Sequence, residues 1–383
     1  MAKPRVLHCI TVYNGRAFVP RAISSALRMD QSVADIDVLI LDDASPEPGW
    51  SEELKAFCEA EGALYYLTPR NLGIPRNVTL GLKTALECGY DYVTINNSDV
   101  IFPRNLVTGM IEALTKNDNV GSVTAWSNNV SIYSVPNEDP DLHLADQSVV
   151  DWVSEVADKT FGGTVLDIPA GISFCIMMPI SAVRTVGFMD PVYGRGYCEE
   201  TDWSLRSLEM GLRLCLAPGV FVYHQGRGSN LDAGLVSAGH TTVPENEAII
   251  DMRYPLFRAQ VEAFFQADVM TWHRGKLIHE LMDIAAQRDG LQIDLGWLST
   301  LSDDKVTLHA EPQGDSTLLK LSRLGFTQSY ATPTVDASKA ITNRFGDCRV
   351  SIDVHDACSL HEELALAYKV TPKDLSCGYP SRV

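Results

Sequence analysis

The sequence predicts an α/β protein: a mostly parallel sheet covered by helices on both faces, followed by a smaller C-terminal extension. Three observations carry this. Short apolar runs alternate with segments of helical spacing through the first half of the chain. The apolar runs are nearly continuous, as in strands buried on both faces. The conspicuous polar residues stand just after those runs, where sheets of this kind bind ligands.

In chain order, VLHCITV (residues 6–12) reads as a strand and AFVPRAISSALRM (17–29) as a helix. DVLILDD (37–43), ALYYL (63–67), YDYVTI (90–95) and GSVTAW (121–126) are further strands. Between them SEELKAFCEAEG (51–62), VTLGLKTALECG (78–89) and NLVTGMIEALTK (105–116) have helical spacing. An irregular stretch is expected from about Ser127 to Thr164, then the apolar SFCIMMP, the charged EETDWSLRSLEMG and the β-rich LRLCLAPGVFVYHQGRGS. From Glu245 to Arg288 the pattern is helical, broken at Pro255, with Phe264, Phe265, Met270, Leu277, Ile278 and Leu281 available to bury. The tail mixes strand candidates (KVTLHA, CRVSIDV) with helix candidates (STLLKLSRLG, LHEELALAYKV). The expected division is a catalytic unit over 1–245 and an extension over 246–383.

Composition narrows the function. The 383 residues suffice for two units, and 45% hydrophobic with 21% charged content is ordinary for a globular protein. A net charge of −18, with no run of Lys or Arg, disfavours nucleic acid and anionic membrane surfaces as partners. The longest apolar stretch, roughly Ile172 to Ile180, is too short to cross a bilayer, and the N-terminus has no secretory pattern. Nine cysteines without a CxxC pair fit reduced thiols, so a cytoplasmic protein is expected.

Three constellations bear on chemistry. LDDAS places Asp42 and Asp43 at a strand end, where two acids can accept from a base N–H and a ribose hydroxyl; the same residues also suit a turn. NNSDV places Asn97 and Asp99 at another strand end, suited to a hard divalent cation carrying diphosphate oxygens or to a helix cap. CEETDWSLR crowds Glu199, Glu200 and Asp202 into four residues, so at least one carboxyl should have a raised pKa and suit general-base work. Acids also favour the first turn of a helix. His224 follows the strand-like VFVY and precedes the Gly-rich QGRGSNLDAGLVSAGH, which suggests a lid with freedom at Gly226 and Gly228.

Taken in order, VYNG, LDDAS, RNLGIPRNVTLGLKTAL, GYDYVTINNSDVIFP, VGFMDPVYGRGYCEETDWSLR and VFVYHQGRGS resemble the inverting glycosyltransferases of the family-2 type with the GT-A fold. The similarity is greatest to the rhamnosyltransferase-like branch and spans roughly residues 5–230. The resemblance implies a UDP- or dTDP-sugar donor, a hydroxyl-bearing glycan or small-molecule acceptor, and Mg²⁺ or Mn²⁺. It implies that Asp43 reads the base with Asp42 in support, that Thr11 and Tyr13 line the nucleotide, and that Asn71 and Arg76 floor the ribose and diphosphate. Asp99 would bind the cation with Asn97 beside it, and His224 would be a further ligand or diphosphate contact. Glu200 would be the base, with Asp202 and Trp203 positioning the acceptor.

Other classes fit less well. A nucleotidyltransferase would need a Gly-rich N-terminal loop, and a dinucleotide-dependent oxidoreductase a GxGxxG after the first strand; TVYNGR supplies neither. A catalytically inactive sugar-nucleotide-binding protein or scaffold is the remaining alternative. The extension carries no acid–His or Cys cluster, so an acceptor-side or self-association role, with a possible homo-oligomer, is expected of it.

Overall fold

The computed structural model describes residues 2–136, 144–226, 243–295, 304–354, 359–371 and 373–374. The chain forms two compact units, the first running to Thr271 and the second starting at Trp272. Most of the segment expected to be a lid, residues 227–240, lies outside the described residues.

The first unit is built on β1 (Arg5–Val12), β2 (Asp35–Asp42), β3 (Leu64–Leu67), β4 (Tyr92–Asn96), β5 (Val100–Ile101), β6 (Val120–Ser127), β7 (Leu166–Asp167), β8 (Cys175–Pro179) and β9 (Arg213–His224). They form one sheet in the order β3-β2-β1-β4-β8-β6-β9-β5, with β7 also on β9. The pairs β2–β3, β1–β2, β1–β4 and β6–β9 are parallel, and β8 runs antiparallel between β4 and β6. Strand β1 is buried from Val6 to Val12, which accounts for its unbroken apolar run. Register sets Val12 beside Asp42 and Ile10 beside Asn96, so the polar residues after three strands emerge along one edge.

Helices α1 (Val19–Leu27), α2 (Trp50–Glu61), α3 (Ile74–Glu87) and α4 (Leu106–Thr115) fall where the apolar spacing put them. Helix α3 packs closely: a Cβ on Gly81 would lie 2.8 Å from the Cys9 sulfur on β1. A fifth helix, α5 (Gln147–Phe161), occupies the stretch expected to be irregular. Asp146 caps it, accepting from the N–H groups of Ser148 and Val149, which contributes about 0.5–2 kcal/mol. Val150, Val153, Ala157 and Phe161 then give a buried stripe at helical spacing. Helices α6 (Ile180–Val186), α7 (Glu199–Glu209), α8 (Pro244–Arg253) and α9 (Phe257–Ala267) complete this unit. Helix α9 buries no residue fully; Phe264 meets Tyr133 edge-on at 6.4 Å, whereas Phe265 is exposed.

The second unit begins within α10 (Val269–Asp289), whose Leu277, Ile278, Leu281 and Met282 are buried. Its sheet comprises β10 (Leu291–Leu295), β11 (Val306–Gln313), β12 (Ser316–Arg323), β13 (Phe326–Pro333), β14 (Val350–Val354) and β15 (Lys373–Asp374), in the order β13-β12-β11-β10-β14-β15. Helices α11 (Ala337–Phe345) and α12 (Ser359–Tyr368) flank β14 in sequence. STLLKLSRLG, expected to be helical, is strand β12. The alternating Thr317, Leu319 and Leu321 are its fully buried side chains, a period of two that the leucine-rich composition conceals. Leu324 and Gly325, both at positive φ, make the tight reversal into β13.

Candidate active site

The loops at the carboxyl ends of β1 and β2 are bound to one another. Asn14, at φ 60°, donates its N–H to Ser45 Oγ (2.8 Å), and Trp50 Nε1 donates to the Asn14 carbonyl (3.2 Å). Asp42 is wholly buried. Its Oδ1 accepts from Ser45 N–H (3.0 Å) and Oγ (2.7 Å), and its Oδ2 from Ser51 (2.7 Å) and Tyr65 (2.8 Å). The side chain is a tie between loops, and it fixes the backbone that presents Asp43.

Asp43 in turn holds the RNLG turn. Its Oδ1 accepts from Leu72 N–H (2.8 Å) and Thr68 (3.1 Å), and its Oδ2 from Gly73 N–H (2.9 Å). Asn71 Oδ1 also accepts from Gly73 N–H (3.0 Å), an Asx turn, while Arg76 is exposed on the first turn of α3. Gly73 sits at φ +81°, and a Cβ there would lie 2.4 Å from the Gly194 carbonyl. Only glycine permits this approach, which docks the loop before α7 onto the carboxyl edge of the sheet. Thr11 is buried, with Oγ1 donating to Asn96 O (3.3 Å), and Tyr13 is half-buried after β1.

Antiparallel pairing of β5 with β9 sets Val100 opposite His224 and so brings Asp99 to the imidazole. Asp99 Oδ1 lies 3.3 Å from His224 Nε2, and Asn97 Nδ2 lies 3.2 Å from the same nitrogen. His224 Nδ1 donates to the Asn129 carbonyl (2.8 Å), which fixes the ring and leaves Nε2 facing the acid. Burial works to lower the His224 pKa, but the Asp99 carboxylate and the Asn129 carbonyl outweigh it and raise it.

A divalent cation fits this pair. Adjacent O and N ligands on such an ion stand about 3 Å apart, close to the separation here, and the carbonyl-anchored Nδ1 leaves Nε2 as the nitrogen that would ligate a metal on giving up its proton. Among the described residues no group of three or more His, Cys, Asp or Glu side chains could enclose an ion, so a bound ligand would supply the remaining oxygens.

Glu199 and Glu200 open α7, directly after Tyr197 and Cys198, both in the left-handed region (φ 73° and 74°). Such backbone is costly for non-glycine residues and persists where surroundings impose it. The two carboxyl groups meet. Burial first, and then the Glu200 charge, push Glu199 well above the usual carboxylate range. Burial also raises Glu200, while its own N–H, the Glu199 carboxyl and the Thr201 N–H favour its ionised form. Oε2 of each is buried and accepts no hydrogen bond.

Asp202, one turn on, is fully buried and committed to other partners. It meets Arg206 Nε (2.8 Å) and Arg253 (2.9 Å), and accepts from Tyr193 and Tyr254 hydroxyls (3.1 Å each). Trp203 is buried, with Nε1 on the Gly187 carbonyl (2.9 Å). These residues hold α7 in place. Asn129, Tyr197, Asn246 and Arg253 were not singled out from the sequence. Their contributions are a carbonyl, a φ angle and contacts 49 or more positions away, none of which a linear motif displays.

Residues 8–158 match the family model described as glycosyl transferase family 2. An undecaprenyl-phosphate mannosyltransferase of Micrococcus luteus is 24% identical over 235 residues, 61% of this chain and 89% of its own length. Solved structures that resemble the chain include GalNAc-T7 with UDP, GalNAc and Mn²⁺ (TM-score 0.44, 11% identity, 58% of this chain and 44% of that one). The mannosyltransferase PcManGT from Pyrobaculum calidifontis with GDP-Man and Mn²⁺ is another (TM-score 0.43, 16% identity, 74% of this chain and 76% of that one). The chain thus spans less than half of GalNAc-T7. The first unit is an α/β domain on a mainly parallel sheet, and its first half is similar to glycosyltransferases. More particularly, the segment that matches glycosyl transferase family 2 includes Asp42, Asp43 and Asp99 and ends before the acid pair.

Proposed function

We propose that the chain moves a sugar from a nucleotide-diphosphate donor to a hydroxyl acceptor with inversion, Glu200 serving as general base. The observation that carries this reading is geometric: two buried carboxyl groups meet at the start of α7, where burial raises the pKa of both, on a loop docked against the turn that Asp43 holds. Glu200 takes the acceptor's proton as its oxygen attacks the anomeric carbon from the face opposite the leaving nucleotide. The Asp43 turn, with Asp42 locking its base, receives the nucleoside beside Thr11 and Tyr13. Asn71 and Arg76 shape the floor beneath the ribose and diphosphate. Asp202 orients the first turn of α7 from beneath. Asp99 and His224, with Asn97 adjacent, would hold Mg²⁺ or Mn²⁺, which offsets charge on the departing diphosphate.

The donor is a UDP- or dTDP-sugar in this reading, as in the rhamnosyltransferase-like branch, with a glycan or small-molecule glycoside as acceptor. The Micrococcus relative's name points to a lipid-phosphate acceptor instead, and the exposed Leu256 and Phe265 around α9 are compatible with an acceptor that has an apolar part. The residues after 245 serve the acceptor side or self-association. The seven cysteines among the described residues are free thiols, consistent with the cytoplasm. Among the described residues no helix is long and apolar enough to cross a membrane.

A panel of nucleotide sugars tests the reading. One donor should raise the melting temperature in the presence of Mg²⁺, by about 2.7 kcal/mol of stability at 100 times its Kd, and should be turned over. Binding without turnover under any acceptor would indicate the inactive sugar-nucleotide-binding alternative.

A further inference from the structure

The turn that delivers the acid pair is held in shape by one amide. Gly194, Gly196, Tyr197 and Cys198 all lie at positive φ, so four of the five residues before Glu199 are left-handed. Such a turn points several carbonyls outward without ladder partners. The Arg195 carbonyl accepts from Ile74 N–H (3.0 Å). The Cys198 carbonyl accepts from Asp202 N–H (2.9 Å), and three more converge on Asn246, whose Nδ2 lies 2.7 Å from Gly196 O, 2.9 Å from Tyr197 O and 3.1 Å from Tyr193 O, which Gly196 N–H also reaches (3.1 Å).

Asn246 is itself fixed. It is buried, and its backbone N–H donates to Val243 O at the start of α8. That helix is anchored at both ends: Ile250 packs with Tyr193 and Leu205, and Arg253 reaches Asp190 (2.8 Å) and the buried Asp202 (2.9 Å). Helix α8 therefore bridges the strained turn and the first turn of α7, the two segments between which Glu199 and Glu200 sit.

We propose that Asn246 is a positioning residue for catalysis, aiming the Glu199–Glu200 pair by clamping the carbonyls of the turn before it. The proposal rests on the assignment of Glu200 as the base. An uncharged amide suits the place: its two N–H groups serve the nearer carbonyls of Gly196 and Tyr197, and a carboxylate there would repel them. Loss of the clamp lets Tyr197 and Cys198 relax toward ordinary backbone, which turns the acid pair away from the acceptor while leaving the Asp43 and Asp99 side of the site intact.

The test compares Asn246→Ala, Asn246→Gln and Glu200→Gln in the full chain, with the donor that the wild type turns over in a UDP-, dTDP- and GDP-sugar panel. Asn246→Ala is expected to lower kcat on the order of 10²-fold, the scale of an ångström's misplacement, with donor KM within about twofold. Asn246→Gln, which keeps the amide on a longer arm, should recover part of the loss. Folded Asn246→Ala with wild-type kcat, while Glu200→Gln is impaired, overturns the proposal alone. Equal losses in kcat and in donor binding also overturn it, since they indicate general disruption. Wild-type turnover in Glu200→Gln instead removes the base assignment on which the proposal rests. If Asn246→Ala does not fold, Asn246→Ser, an uncharged small residue that keeps one donor, takes its place under the same criteria.

Discussion

Asp99 Oδ1 stands 3.3 Å from His224 Nε2, although the two residues are 125 positions apart. The two-residue strand β5 makes the contact, because its antiparallel pairing with β9 sets Val100 against His224. Asp99→Asn or His224→Gln should therefore weaken nucleotide-diphosphate binding in Mg²⁺ or Mn²⁺ and leave little further loss on adding EDTA. Titration calorimetry with and without the cation checks this; undiminished affinity of the wild type in EDTA would show that the pair holds no metal in function.

Glu200→Gln keeps the side chain's size and removes the proton acceptor. Turnover should fall by roughly 10²–10⁴-fold while donor affinity is retained, the signature of an interaction made in the transition state. Steady-state kinetics beside a binding isotherm distinguish these. Abolished turnover in Glu199→Gln with Glu200→Gln unimpaired would move the base one residue back.

Glu199 predicts a pH dependence of stability with a definite sign. Its folded pKa is raised, so above the ordinary value of 4.5 the unfolded chain loses a proton that the folded chain retains. The folded state then binds more protons, and stability falls as pH rises, until Glu199 ionises in the folded chain too. Glu199→Gln should remove that slope and melt higher than the wild type, by a margin that grows as pH increases from 4.5 and then levels. Thermal melts across pH decide it; a margin independent of pH would contradict the buried proton.

Asp202→Ala leaves Arg206 and Arg253 facing a buried void and strands two tyrosine hydroxyls. Breaking a buried ion pair from one side costs about 3–5 kcal/mol. Arg253 and Arg206 are partly exposed and can turn toward water, so the loss should fall at the low end. Chemical denaturation measures it, and a loss below about 1 kcal/mol, the scale of a surface pair, would mean that the network is not structural.

Much of this was legible in the chain because its rules are local. Apolar strands and helical spacing through Trp126 placed the parallel half of the sheet; acids after strands singled out Asp43 and Asp99, and the crowding in CEETDW singled out Glu200. Helix α5 was missed because its start signal, Asp146 with Ser148, is a cap rather than a periodicity. Strand β12 was misread because its leucines satisfy two periods at once, and the positive φ of Leu324 decides between them. The commitment of Asp202 to two arginines and two tyrosines could not be read at all. It depends on α8 returning to α7, a contact between segments some 50 residues apart.

A single displacement at the anomeric carbon, with Glu200 as base, inverts the configuration of the transferred sugar. Proton NMR of the first-formed product, recorded with Mg²⁺ and the donor that the panel identifies, reads it most directly. The anomeric coupling of the transferred or released sugar should show the configuration opposite to the donor's, and the signal should be lost in Glu200→Gln. A first product with the donor's own configuration would contradict the claim.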